Sequence, residues 1–340
     1  MTTPTATDQK ATTRVYRAGR VERNNFPVKD ISEYIDQPDT TVWVDLLSPD
    51  TDDLQVIAEE LGLHELAIAD AVNARQRPKL DRYATHDFLN MYAVRLDTAT
   101  GQLSLSELAA FITPRALVTV HKDDQFDIDE VLNRWDGSPD LARNGVGFLL
   151  HGLIDHVVDG HFEAVQGLDE EIEKLEDLLF DQQPHDGDVQ RRSFELRKSL
   201  VTLRRVVLPM REVVNSLMRR DSKIVQGEMT PYFQDVYDHV LRATEWTESL
   251  RDLVTTIVET NLTIQGNRLN VITKKVTSWA AIIAVPTAIT GFYGQNLPYP
   301  GFSPPAGFLA SSILIVVLSV ALHVAFKRKD WLELRHSRLG

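Results

Sequence analysis

From Val276 to Phe326 the chain contains no Asp, Glu, Lys or Arg, and this constrains the fold more than any motif does. A soluble stretch of that length would carry roughly a dozen charges at about 25% frequency. Two apolar segments fill the run, Val276–Tyr293 and Phe308–Phe326. Each approaches the roughly 20 residues that a helix needs, at about 1.5 Å rise per residue, to cross about 30 Å of hydrocarbon. Between them, Gly294–Gly307 is rich in Pro and Gly and cannot continue a helix. Neither segment has the polar face of a helix in a soluble core. The pattern predicts a transmembrane hairpin with its first span at about 276–293, a loop at 294–307 and its second span at 308–326.

Orientation follows from the flanking cations. Arg268, Lys274 and Lys275 precede the first span, Lys327, Arg328 and Lys329 follow the second, and the loop has no cation. By the positive-inside rule the loop is extracellular, both termini are cytoplasmic, and 327–340 is a basic cytosolic tail. The expectation is a multi-pass protein of the cell (inner or plasma) membrane, in contact with membrane lipid.

The charge sits in the rest of the 340 residues, with 49 acidic against 36 basic side chains and a net charge of -13. That balance argues against nucleic acid as a partner, which needs clustered Lys and Arg to release counterions. The absence of cysteine excludes disulfide scaffolds, Cys-ligated zinc and thiol catalysis. Residues 1–13 are polar and Thr-rich with no apolar core, which reads as a disordered leader rather than a secretory signal. No Gly-rich phosphate loop ending in Gly-Lys-Ser/Thr is present, so nothing points to ATP, and the chain reads as a non-enzyme with no cofactor.

Residues 14–145 read as a cytosolic α/β domain. Thr40–Leu47, Asp87–Leu96, Ser106–Ile112 and Ala116–His121 are β-rich runs alternating with helical pieces near Asp53–Leu61, Glu65–Val72 and Phe126–Trp135. The pattern then changes to long helices over a cytosolic helical region, 146–230. Gly145–Leu179 and Asp188–Arg220 are broken at Pro184-His185-Asp186-Gly187. A third helix starts near Pro231 and has no stop before the first span, so 231–293 reads as one long helix running from cytosol into membrane. Such a helix needs partners along its side.

Counting in sevens along it gives Thr263, Asn270, Thr277, Ala284 and Gly291, and the companion series gives Glu259, Gly266, Thr273, Ala280, Thr287 and Gly294. A coiled-coil seam would be apolar and branched there. This face is polar or small throughout, including the cytosolic stretch where close packing of membrane helices is not at issue. Hydroxyls and amides in line suit a water-filled conduit, and one hairpin cannot enclose a conduit, so the chain is expected to form a cyclic oligomer.

Three motifs make the pattern recognisable: Tyr232-Phe-Gln-Asp-Val-Tyr-Asp-His239, Asn267-Arg-Leu-Asn270, and Tyr293-Gly294-Gln295-Asn296. Together with Trp43-Val-Asp45 and Arg77-Pro-Lys79 they resemble the CorA family of divalent-metal transporters, the two-transmembrane group with a Gly-Met-Asn loop, from about Val15 to Lys329. The resemblance implies a homopentameric, funnel-shaped channel for passive Mg2+ influx, with Co2+ or Ni2+ also carried. It places Gly294, Gln295 and Asn296 in an outer selectivity filter and Asn270 in a second ring. Glu259, Thr273, Thr277, Ala284 and Thr287 would line the pore further, with Val276 as a hydrophobic gate. It also implies that cytosolic Mg2+ is a regulatory ligand as well as the cargo, bound by Asp235 with Asp97, at a strand end, as its partner. Gln295 departs from the usual Met, and the loop lacks an acidic residue. These departures keep open a Zn2+ transporter of the related proton-coupled branch, and a non-conducting, membrane-anchored metal sensor or scaffold also remains.

Other clusters read differently. His151, His156 and His161 recur every five residues, which spreads them around a helix and argues against a shared zinc. His121-Lys122-Asp123-Asp124 reads as a solvated turn at a strand end, and the acidic run Asp169–Asp177 as a solvated helix face.

Overall fold

The computed structural model describes residues 10–73, 76–98, 100–181, 186–219, 224–225, 227–295 and 305–332. It divides into two compact units, Met1–Ile257 and Val258–Gly340.

The first unit is built on a seven-stranded sheet: β1 (Ala11–Arg17), β2 (Arg20–Asn24), β3 (Thr40–Leu47), β4 (Lys79–Arg82), β5 (Asp87–Asp97), β6 (Gln102–Ile112) and β7 (Ala116–His121). Their spatial order is β2-β1-β3-β7-β6-β5-β4. Among the described strands only β3 and β7 run parallel, with Val42 opposite Ala116 and Leu47 opposite His121. A central parallel pair is covered on both faces, which accounts for the unbroken burial of β3 from Thr40 to Leu46.

Strand alternation divides the core into two layers. Val42, Val44 and Leu46 face Leu54, Ile57, Ala67 and Ile68, which belong to the helices α2 (Thr51–Leu61) and α3 (Glu65–Val72). The short α1 (Ile31–Ile35) packs on the same side through Ile31. Trp43, Leu89, Met91 and Leu108 face the other way, toward α4 (Ile128–Asp136) and α5 (Val146–Phe180), joined by α6 (Asp186–Leu217) and the start of α7 (Thr230–Tyr293). Trp135 sits between Trp43 and Tyr16 in edge-to-face contacts at 5.4 and 6.5 Å, each worth about 0.5–1.5 kcal/mol beyond area burial.

Helix starts and stops follow local chemistry. Asp50 caps α2 in a reciprocal capping box with Asp53, and Gly62 ends that helix at φ +66°, a conformation that favours a residue without Cβ. Asp127 accepts from the Asp129 N–H to start α4.

Several expected boundaries move. Strand β1 begins at Ala11, so the expected leader of 1–13 runs three residues too far. The change at Gly145 is one of secondary structure only: Leu150, Val157, Met210 and Phe233 share a core with Trp43 and Leu108. The α/β domain (14–145) and the helical region (146–230) are therefore one unit, and the unit boundary falls inside α7 after Ile257. Asp186 and Gly187, expected in the break between long helices, already belong to α6; Pro184 and His185 lie outside the described residues.

The second unit contains the remainder of α7 and α8 (Pro305–Arg328), both long and apolar enough to cross a membrane. No residue of α8 is buried within the chain, as suits a helix whose apolar surface meets lipid or another copy. The helix takes up Pro305–Gly307, so the expected loop of 294–307 is shorter at its end; Pro at a helix start loses no intrahelical bond.

Candidate permeation path and cation-binding group

The two heptad series lie on one face of α7, and Glu259, Asn270, Thr273, Val276, Thr277, Ala284 and Thr287 are all exposed on the single chain. Thr263, Gly266, Ala280, Gly291 and Gly294 continue the same exposed line. Ser278, by contrast, is fully buried, its hydroxyl donating to the Lys274 carbonyl at 2.7 Å. Thr287 donates to the Ile283 carbonyl at 2.9 Å and Thr263 to the Glu259 carbonyl at 2.9 Å. A threonine bonded in this way keeps its oxygen lone pairs for a second partner, so the line offers acceptors to a hydrated cation. Pro286 stands beside Thr287 within α7 and removes one backbone donor from the ladder, a feature tolerated in membrane helices beside polar partners.

At the end of α7, Gly294 donates its N–H to the Thr290 carbonyl at 2.8 Å, and Gln295 to the Phe292 carbonyl at 3.3 Å. Both are exposed. A Cβ at Gly294 would come within 2.9 Å of the Thr290 carbonyl, so glycine is what this close turn accepts. Asn296 lies outside the described residues.

Asp97 and Asp235 stand on separate elements of one chain, β5 and α7, and the regulatory cation site expected of them lies between the cytosolic domains of neighbouring copies. Asp97 is the last residue of β5, where its carboxylate accepts from the Thr100 hydroxyl of the hairpin turn at 2.7 Å. Asp235 is exposed on the first turns of α7; burial lowers the pKa of the nearby His151 imidazole, and the Asp155 and Asp235 carboxylates oppose that only in part. What the fold does assemble is a different trio: Asp155 and Asp159 from α5 with His239 from α7, their donor atoms within 4.8 Å of one another and all half-buried. Asp155 and Asp159 are one helical turn apart, which stacks them on one face. Arg134 of α4 reaches both, at 3.2 Å to Asp155 and 2.9 Å to Asp159. Burial raises the Asp155 pKa, and the Asp159 carboxylate adds to the rise. Asp155 and Asp159 at i and i+4 were a sequence signal for this group. His239 lies too far along the chain for spacing to connect it to them.

The three histidines of α5 have separate environments, as their spacing suggests. His151 packs edge-on against the rings of Tyr232 and Phe233. His156 faces Phe126 and lies 3.7 Å from Glu130. His161 is fully buried, with Nε2 2.7 Å from the Tyr92 carbonyl. The sequence reading fails at His121-Lys122-Asp123-Asp124. This is no solvated turn at its first residue: His121 is buried against Asp45 at 2.8 Å, and Ser106 donates to Asp123 at 2.6 Å. Charged residues at a strand end are legible as exposed only when no buried partner waits on a neighbouring strand.

The chain is 30% identical over 314 residues to the putative metal ion transporter YfjQ of Bacillus subtilis, covering 91% of this chain and 95% of that one. It is 29% identical over 316 residues to the cobalt/magnesium transport protein CorA of Thermotoga maritima, covering 92% and 90%. A more distant relative, the zinc transport protein ZntB of Pectobacterium atrosepticum, is 24% identical over 260 residues, covering 75% and 77%. The fold matches the complete structure of the CorA magnesium transporter from Methanocaldococcus jannaschii with a TM-score of 0.75 at 23% identity, over 97% of this chain and 99% of that one. Residues 38–328 match the model of the CorA-like Mg2+ transporter proteins, and with an α/β unit followed by long helices and two apolar C-terminal helices, the chain belongs to that family of membrane-embedded divalent-cation transporters.

Proposed function

We propose that the chain assembles as a homopentamer around α7 and admits Mg2+ passively into the cytoplasm, with Co2+ and Ni2+ as further cargo. The observation that carries this reading is the exposed line of hydroxyl, amide and small residues from Glu259 to Gly294, which one chain leaves uncovered. Five copies would turn it into rings of acceptors. Mg2+ holds its water tightly and prefers octahedral oxygen coordination, so amide oxygens that bond its hydration shell at Asn296 and Asn270 let it pass without complete dehydration. Rings of carboxylates at the mouth would hold a divalent ion too firmly to release it. The cations flanking both spans support a cytoplasmic position for both termini.

Cytosolic Mg2+ closes the channel in this reading. Carboxylates on α5 and α7 repel one another, and a bound divalent ion offsets that repulsion and favours the state that holds it. Asp155, Asp159 and His239 are the donors the fold places together, with Asp235 on the same helix as His239. Single substitutions Asp155→Asn and Asp235→Ala test this in vesicles: influx loses sensitivity to internal Mg2+ if these carboxylates sense the ion, and inhibition stays at the wild-type level if they do not.

A second reading, Zn2+ transport, is favoured by two observations. Gln295 replaces the usual Met in the loop, and an imidazole beside two carboxylates suits Zn2+, Co2+ or Ni2+ better than Mg2+. Flux measured separately with Mg2+ and Zn2+, with and without a proton gradient, distinguishes the two.

A further inference from the structure

Strands β3 and β7 end their parallel register with Leu47 opposite His121, and the His121 side chain turns back under β3. Both of its ring nitrogens meet oxygen acceptors. Nε2 lies 2.8 Å from Asp45 Oδ2, and Nδ1 lies 2.8 Å from the backbone oxygen of Asp123. A neutral imidazole carries one N–H and one lone pair, so it can satisfy only one of two acceptors. The imidazolium satisfies both. The side chains of His121 and Asp45 are each only 7% exposed, and the other Asp45 oxygen accepts from the Thr119 hydroxyl at 2.5 Å, which itself accepts from Trp43 Nε1 at 3.2 Å. The two contacts of the His121 ring, to the Asp45 carboxylate and to the Asp123 carbonyl, both favour the imidazolium.

We propose that His121 and Asp45 form a buried proton-binding site that ties down the β7–α4 loop while occupied and releases it when the proton leaves. Loss of the proton sets a lone pair against an oxygen at one of the two contacts. The Asp123 carbonyl, being uncharged and on a loop, is the partner free to move. That loop leads through the Asp127 cap into α4, which carries Arg134.

The surrounding charges are accounted for element by element. From β6, Ser106 donates to Asp123, and Glu107 faces Lys122 at 3.8 Å rather than His121. His156, Asp159 and Glu163 of α5 and Asp129, Glu130 and Arg134 of α4 line the same cavity of about 640 Å3 as His121, together with Arg95, Asp124 and Asp127. Arg134 is engaged by Asp155 and Asp159. Phe126 presents its ring to His121 at 6.4 Å. Burial by itself pushes His121 down, but the Asp45 carboxylate and the Asp123 carbonyl outweigh it and leave the pKa above its ordinary 6.5. A raised folded-state pKa contributes stability that is complete below the unfolded value and is lost as pH rises through the folded value. Release therefore occurs on the alkaline side of 6.5.

The test uses the full-length protein in detergent micelles, labelled with 13C at histidine Cε1. The His121 signal is the one absent in His121→Gln, and should that variant not fold, it is the one displaced in Asp45→Asn. Its midpoint is expected above 6.5 and is expected to fall in Asp45→Asn. Hydrogen–deuterium exchange of peptides covering 122–127, with labelling times corrected for the intrinsic effect of pH, is expected to rise over the same pH range in the wild type and at lower pH in Asp45→Asn. A His121 midpoint at or below 6.5, or loop protection that ignores the midpoint, overturns the proposal.

Discussion

His161 is the side chain whose surroundings leave it least choice of protonation state. It is fully buried, and burial holds its pKa down to about 4, only partly countered by its bond to the Tyr92 carbonyl. Because the folded value lies below the unfolded value of about 6.5, the unfolded chain binds the extra proton between the two, and stability rises with pH across that window. Acidification from about pH 6.5 to about pH 4 is predicted to cost on the order of 3 kcal/mol from this residue. Thermal unfolding of His161→Gln at both pH values checks this: the variant should lose less stability on acidification than the wild type, and an equal loss would remove His161 from the account. This burial was only half legible in sequence. Spacing by five showed that His151, His156 and His161 do not share a metal, but which one enters the core depends on β5, whose Tyr92 carbonyl receives His161. The cation group shows the same division. Asp155 and Asp159 were readable as a helical pair, while His239 and Arg134 reach them only through the packing of α4, α5 and α7.

Elements with strong periodicity were legible nearly to the residue. Strands β3 and β7 and helix α3 have the bounds that alternation and turn chemistry predict. The polar edge strands β2 and β4 were not, since RVERN and KLDR carry no apolar alternation; β4 is held by pairing with β5, by Leu80 against the core and by the Lys79–Asp70 ion pair. Helix packing depends on features with even less sequence signal. Gly152 of α5 lies under Trp135, where a Cβ would come within 2.4 Å of the indole nitrogen. Gly152→Ala is predicted to force α4 away from α5 and to destabilise the first unit by about 1–3 kcal/mol, as overpacking does. Gly266→Ala, where a Cβ meets nothing within 4 Å on the single chain, is predicted to leave the stability of that unit unchanged. Denaturant unfolding followed by tryptophan fluorescence compares them, and equal effects would contradict the packing described for Trp135.

At the scale of the whole molecule, the uncharged run from Val276 to Phe326 and the heptad line on α7 were readable before any coordinates, because membranes and repeated helical faces leave long patterns. The register of neighbouring copies leaves none in one chain. Orientation has a direct check. With no native cysteine, Ser303→Cys is predicted to react with a membrane-impermeant thiol reagent in intact cells and Ser337→Cys is predicted not to; both positions lie outside the described residues. Transport has the sharper one. In the proposed reading, a divalent ion drawn inward by 100 mV gains about 4.6 kcal/mol, equivalent to a roughly two-thousandfold accumulation, which would drive entry without ATP or a proton gradient. The deciding measurement is Mg2+ entry into vesicles holding the purified protein and a trapped Mg2+ indicator, under an inside-negative potential and without a pH gradient. The account predicts entry that grows with the potential and is abolished in Asn296→Ala while that variant keeps the oligomeric state of the wild type. Vesicles that admit no Mg2+ but take up Zn2+ when a proton gradient is imposed would contradict it.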